Sequence, residues 1–103
     1  MKTNELPIHI PKEQIAELCK RYNIAKLSLF GSVLRDDFTP ESDVDFLVEF
    51  KSEDEIGFFE LMTIKIELSN LIGREVDLRT PDDLSMHFRQ EVIDSSLVQY
   101  VQN

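Results

Sequence analysis

Apolar positions along the chain change period several times, and each change marks an element. From Pro11 to Tyr22, the residues Ile15, Leu18, Cys19 and Tyr22 fall at i, i+3, i+4 and i+7. That spacing lines one face of a helix, and Pro11 has the fixed φ that suits a first helical turn. After Asn23 the period drops to two. Lys26 and Ser28 alternate with Ala25, Leu27 and Leu29 as far as Gly31-Ser32, which predicts a strand and its end. A second strand is expected from Asp43 to Phe50, with Val44, Phe46, Val48 and Phe50 on one face and Asp43, Asp45, Leu47 and Glu49 on the other.

Helical spacing returns from about Ile56 to Ile72, carried by Leu61, Ile64, Leu68, Leu71 and Ile72, and Gly73 stands where a left-handed C-terminal cap belongs. Glu75-Val76-Asp77-Leu78-Arg79 alternates as a short strand. Thr80-Pro81-Asp82-Asp83 supplies an N-cap, a first-turn proline and acids favoured by the helix dipole. A third helix is therefore expected from about Pro81 to Ser95, with a break near Ser85. Leu97 to Val101 reads as a last strand or a frayed extension. No repeat, low-complexity segment or linker interrupts the chain, so residues 1–103 are expected to form one domain.

Composition narrows the possibilities. Twenty Asp and Glu against 11 Lys and Arg leave a net charge of −9, while 42% hydrophobic residues and seven Phe provide the material for one core. The acidity opposes direct nucleic-acid binding, which relies on basic side chains neutralising phosphates, and favours a basic partner or bound cations. The acidic run from Glu49 to Glu55 reads as a solvated loop that could guide such a partner. The single cysteine, Cys19, cannot form an internal disulfide and sits among apolar helix positions. With no signal-peptide-like or membrane-length apolar run, a cytoplasmic placement without membrane contact is expected.

Three acids stand out by position. Asp43 and Asp45 are two apart, so a strand would send both side chains from the same face, and Asp77 falls in the middle of a short apolar strand. They are either a solvated strand face or a convergent set of carboxylates for a divalent cation. Just upstream, Gly31 permits close backbone approach. The N–H groups of a turn beginning at Ser32 would favour an anion such as phosphate, though the pair could also be a plain turn between elements. Arg35 is placed either to touch that phosphate or to pair with Asp36, Asp37 or Glu41. Carboxylates and a phosphate cradle together point to phosphoryl or nucleotidyl transfer.

Gly31-Ser32, ten intervening residues and then Asp43-Val44-Asp45 resemble the GS-x10-DxD signature of the DNA polymerase beta-like nucleotidyltransferase superfamily. The run GSVLRDDFTPESDVDFLVEF resembles its minimal, MNT-type branch, and Asp77 matches the third carboxylate. The resemblance implies an α+β fold, the small nucleotidyltransferase fold, with a mixed β-sheet of about four strands and three to four helices packed on it. It also implies that Asp43, Asp45 and Asp77 are catalytic and hold two Mg²⁺ ions, that Gly31, Ser32 and Arg35 bind the nucleotide phosphates, and that ATP is the substrate. The chain departs from the family pattern at Asp36, where similar proteins often have glycine.

Proteins of this branch are antitoxins paired with HEPN-type RNase toxins, so the resemblance implies AMP transfer to a tyrosine hydroxyl of a cognate toxin within a hetero-oligomer. Length points the same way, because a minimal catalytic sheet leaves nothing in 103 residues for a domain that shapes an acceptor pocket. The alternatives are an antitoxin that neutralises by binding alone and a subunit that modifies a small hydroxylated molecule. Two consecutive aromatics, Phe58 and Phe59, cannot both face one core; one is expected to pack and the other to meet a partner. Tyr100 is a second such aromatic.

Overall fold

Helix α1 (Lys12–Arg21) begins one residue later than the proline suggested, with Pro11 as its cap and the Pro11 carbonyl accepting the Ile15 N–H at 2.9 Å. Ile15, Leu18 and Cys19 are completely buried, as their spacing required. Asn23 then takes a left-handed conformation, φ 56°, which asparagine tolerates better than most residues, and the chain reverses into β1 (Ile24–Phe30). The computed structural model describes residues 7–51 and 56–102; the acidic run to Glu55 therefore falls partly outside the described residues.

A four-residue 3₁₀ turn, Gly31–Leu34, follows β1, and a loop leads to β2 (Val44–Phe50). Strand β2 pairs antiparallel with β1, Phe30 opposite Asp45 and Ser28 opposite Leu47. Helix α2 (Phe58–Ile72) carries the chain back so that β3 (Val76–Arg79) lies parallel to β2, the crossover that a parallel pair requires. Gly73 ends α2 at φ +76° and its N–H bonds to the Ser69 carbonyl at 2.8 Å. The Ser69 hydroxyl then accepts the Val76 N–H at 3.2 Å and ties helix to strand.

Strand β4 (Leu97–Val101) adds antiparallel to β1, giving a mixed four-stranded sheet in the order β3-β2-β1-β4. Val44, Phe46, Val48 and Val76 join Ile15, Leu18, Ile64 and Leu68 in one core between the sheet and the helices. Asp45 belongs to the alternate set of β2, away from that core. This is the α+β architecture expected from the sequence.

Four expectations need correction. The long helix starts at Phe58, not Ile56, and both Phe58 and Phe59 are exposed, at 70% and 85%, stacked edge to face on each other with neither in the core. The third helix is broken about Ser85, as expected, but its first part is only a 3₁₀ turn, Pro81–Asp83, and α3 (Arg89–Ser95) follows after five residues that begin with Leu84 in extended conformation. The Asp83 carboxylate accepts both the N–H and the hydroxyl of Thr80, at 3.0 and 3.1 Å, closing a local turn without propagating a helix. Asp43, expected within β2, lies one residue before it and is exposed. Its neighbour Val44 is the first residue paired with β3.

Candidate active site

Pairing of β2 with β3 places Asp45 and Asp77 directly side by side, since parallel register matches Val44 with Val76 and Asp45 with Asp77. Neighbours in a ladder point to the same face, so two carboxylates remote in sequence leave the sheet together. Asp43, at the exposed end of the loop one residue before β2, is near enough to act on Asp45. The three are close enough to feel one another. Partial burial, followed by the charges of Asp77 and Asp43, pushes the Asp45 carboxyl up to about 6, while Arg79 and Arg35 pull in the opposite direction.

Gly31 closes the site from the β1 side. Its φ is +80°, and a Cβ built there would run into the Asp45 carboxylate, so both backbone conformation and space demand glycine. Ser32 follows in the 3₁₀ turn, whose end is fixed by the Arg35 N–H donating to the Ser32 carbonyl at 2.9 Å. The Arg35 guanidinium donates to the exposed Asp37 carboxylate at 3.2 Å, which is the surface pair the sequence allowed as an alternative to phosphate.

Arg79 was not among the residues singled out from the sequence. Its Nε and Nη2 donate to Asp77 Oδ1 and Oδ2, both at 3.2 Å, and this pairing holds the guanidinium firmly charged. The signal was available, because residues 77 and 79 are two apart on one strand and must share a face. Arg74 was also missed. It lies outside any period and becomes visible only once the loop before Asp43 is placed against it.

Among the described residues no three His, Cys, Asp or Glu side chains are already closed around a common metal position. Asp43 stands at a loop end and Asp77 is turned to Arg79. The donor set still fits a hard divalent cation: it is made of carboxylate oxygens, and Asp45 sits in an excess of negative charge that a cation would relieve. A pocket of about 250 Å³ opens elsewhere, between α1 and α2, lined by Gln14, Leu18, Arg21, Glu67 and Leu71, and shares no residue with the acidic face.

A small mixed sheet with paired carboxylates beside a glycine turn is an arrangement that phosphoryl- or nucleotidyl-transfer chemistry can use. The nucleotidyltransferase domain family matches residues 11–99, and the chain belongs to that family, in its minimal, MNT-type branch. A protein of Methanocaldococcus jannaschii described as a candidate protein adenylyltransferase is 34% identical over 82 residues, 79% of this chain and 81% of its own. The protein adenylyltransferase MntA of Thermococcus cleftensis is 30% identical over 77 residues, 75% of this chain and 76% of its own.

Among solved structures, one described as a candidate minimal nucleotidyltransferase superposes with a TM-score of 0.69 at 28% identity, covering 84% of this chain and 86% of that one. A chain from the complex of a tri-AMPylated Shewanella oneidensis HEPN toxin with its MNT antitoxin reaches 0.63 at 19% identity, covering 88% and 70%, and shares the fold.

Proposed function

We propose that this nucleotidyltransferase is a Mg²⁺-dependent protein adenylyltransferase that moves AMP from ATP to a tyrosine hydroxyl of a HEPN-type RNase partner, and so acts as its antitoxin. The observation that carries the reading is the Asp45–Asp77 register with Gly31 packed against Asp45. The relatives named as protein adenylyltransferases and the toxin–antitoxin complex that shares the fold support the protein acceptor.

Asp43, Asp45 and Asp77 would hold the cations, which neutralise charge on the triphosphate and on the oxygens that attack and leave. Gly31 lets the Asp45 carboxylate lie against the turn, and Ser32 offers the phosphate tail a peptide N–H and a hydroxyl. Arg35 swings from Asp37, an exposed pair with little to lose, to meet the same tail. The tyrosine hydroxyl gives its proton toward the Asp77 carboxylate as its oxygen bonds to the α-phosphorus. The bond from that phosphorus to the bridging oxygen breaks, and pyrophosphate departs. Arg79 keeps Asp77 aimed until the acceptor arrives.

Intact mass spectrometry of the partner, incubated with this protein, ATP and Mg²⁺, tests the reading. One or more added AMP units with the parent protein, and none with Asp43→Asn/Asp45→Asn, is the expected result. A second reading, neutralisation by binding alone, is favoured by Asp36 where the family often has glycine and by Arg35 being engaged with Asp37. Unchanged partner mass in a stable complex would establish it in place of catalysis.

A further inference from the structure

Asp43 is held at the end of the loop that follows the 3₁₀ turn, and one side chain from another part of the chain fastens that loop. The two N–H groups of Arg74 Nη2 are shared among the carbonyls of Thr39, Pro40 and Ser42, each 2.9 Å from that nitrogen. Its Cζ lies 4.8 Å from the centroid of the Phe38 ring, the stacking arrangement open to a planar cation. These carbonyls belong to a tight turn: the Ser42 N–H donates to the Thr39 carbonyl at 3.0 Å and the Thr39 N–H to Ser42 Oγ at 3.0 Å. Next to Arg74, the Glu75 carbonyl accepts the Val44 N–H at 2.9 Å. Residues 38–44 are thereby fastened to the segment that runs straight into Asp77.

We infer that Arg74 is a positioning residue, whose clamp on the 38–42 turn sets the place of Asp43 relative to Asp45 and Asp77 and so tunes the affinity of the carboxylates for a divalent cation. The inference rests on the proposed role of these acids as metal ligands. Geometry favours an arginine here. A lysine ammonium, with three N–H donors on one nitrogen, could serve the same three carbonyls, so what favours arginine is its planar cation over the Phe38 ring. Gly73 contributes by ending α2 in a left-handed turn, which delivers Arg74 to the loop.

The test is Mn²⁺ binding, read by electron paramagnetic resonance on the protein alone, with thermal unfolding of every variant. Arg74→Gln should weaken Mn²⁺ binding by about tenfold, the scale of losses when groups orienting metal ligands are removed. Arg74→Lys should recover part of that loss, and Phe38→Leu should reproduce a smaller version of it. Arg21→Gln, which removes the distant Arg21–Glu67 pair, serves as the control for instability alone and should bind Mn²⁺ like the parent.

If Asp43→Asn lowers Mn²⁺ affinity while Arg74→Gln and Phe38→Leu bind like the parent, the positioning role is overturned. If Arg74→Gln fails to fold, Arg74→Lys and Phe38→Leu decide alone, and parent-like binding by both overturns it equally. Indifference of Mn²⁺ binding to Asp43→Asn would instead remove the ligand reading on which the inference stands.

Discussion

Gly31 and Gly73 have nearly the same φ, +80° and +76°, yet alanine should cost differently at the two. A Cβ at Gly73 meets nothing within 4 Å, so Gly73→Ala should lose only the left-handed backbone term, about 1–2 kcal/mol by urea unfolding. Gly31→Ala adds a collision with Asp45 to the same term and should be the more destabilising of the two, with nucleotidyl transfer lost. Equal losses at both sites would mean that Gly31 does not back onto Asp45. At Asp45 itself the native carboxyl titrates near 6 against an ordinary value of 3.8, so the native state binds more protons between those values and stability falls as pH rises through them. In metal-free buffer, Asp45→Asn should therefore melt higher than the parent well above pH 6, with the gain fading towards pH 3.8. Burial pushes the Cys19 thiol up to about 12, so it should resist alkylation in the native protein and react on unfolding, as followed by mass.

Elements differ in how openly the sequence declares them. Helix α1, strands β1 and β2 and the end of α2 were legible because burial enforces their periods: Ile15, Leu27, Phe46 and Leu68 are all completely covered. The third helix was not, because its sequence carried start signals without a face to bury. Met86 and Phe88 are 83% and 55% exposed, no residue of α3 is buried, and Asp83 spends its capping interaction on a single turn. Of the site, the positions of Asp45 and Asp77 in their strands could be read from alternation. Their mutual register could not, since it is set by docking of β3 beside β2, and Arg74 gave no local signal at all.

Helix α2 shows a similar limit. Leu61, Ile64 and Leu68 were recognisable as its inner stripe, but Phe59 and Ile66, 85% and 56% exposed, lie outside that stripe. Apolar residues on more than one side of a helix are what a partner-covered surface has, and in the proposed complex this face would be available to the HEPN-type partner. Phe59→Glu/Ile66→Glu should weaken co-purification with that partner while leaving the melting temperature of the free protein nearly unchanged. A complex of undiminished affinity would place the contact elsewhere.

Over the whole molecule, a net charge of −9 makes encounter with a basic partner faster and sensitive to salt. Association rates measured by stopped flow should fall as ionic strength rises, with dissociation rates changing much less. The parallel pairing of β2 with β3 has a consequence for how activity is acquired. Asp43, Asp45, Gly31 and the β1–β2 ladder belong to a hairpin whose contacts are local, whereas Asp77 reaches its place only after α2 has crossed the sheet and β3 has docked. Pairing of this kind closes a long loop before any contact rewards it, which makes it slow to form. A folding intermediate with the hairpin in place would hold Asp45 and the Gly31 turn, yet lack Asp77, the arginine beside it and the Arg74 clamp on the loop that carries Asp43. With Asp77 in its proposed role, catalytic competence would be coupled to completion of the sheet, and a partially folded chain would not consume nucleotide.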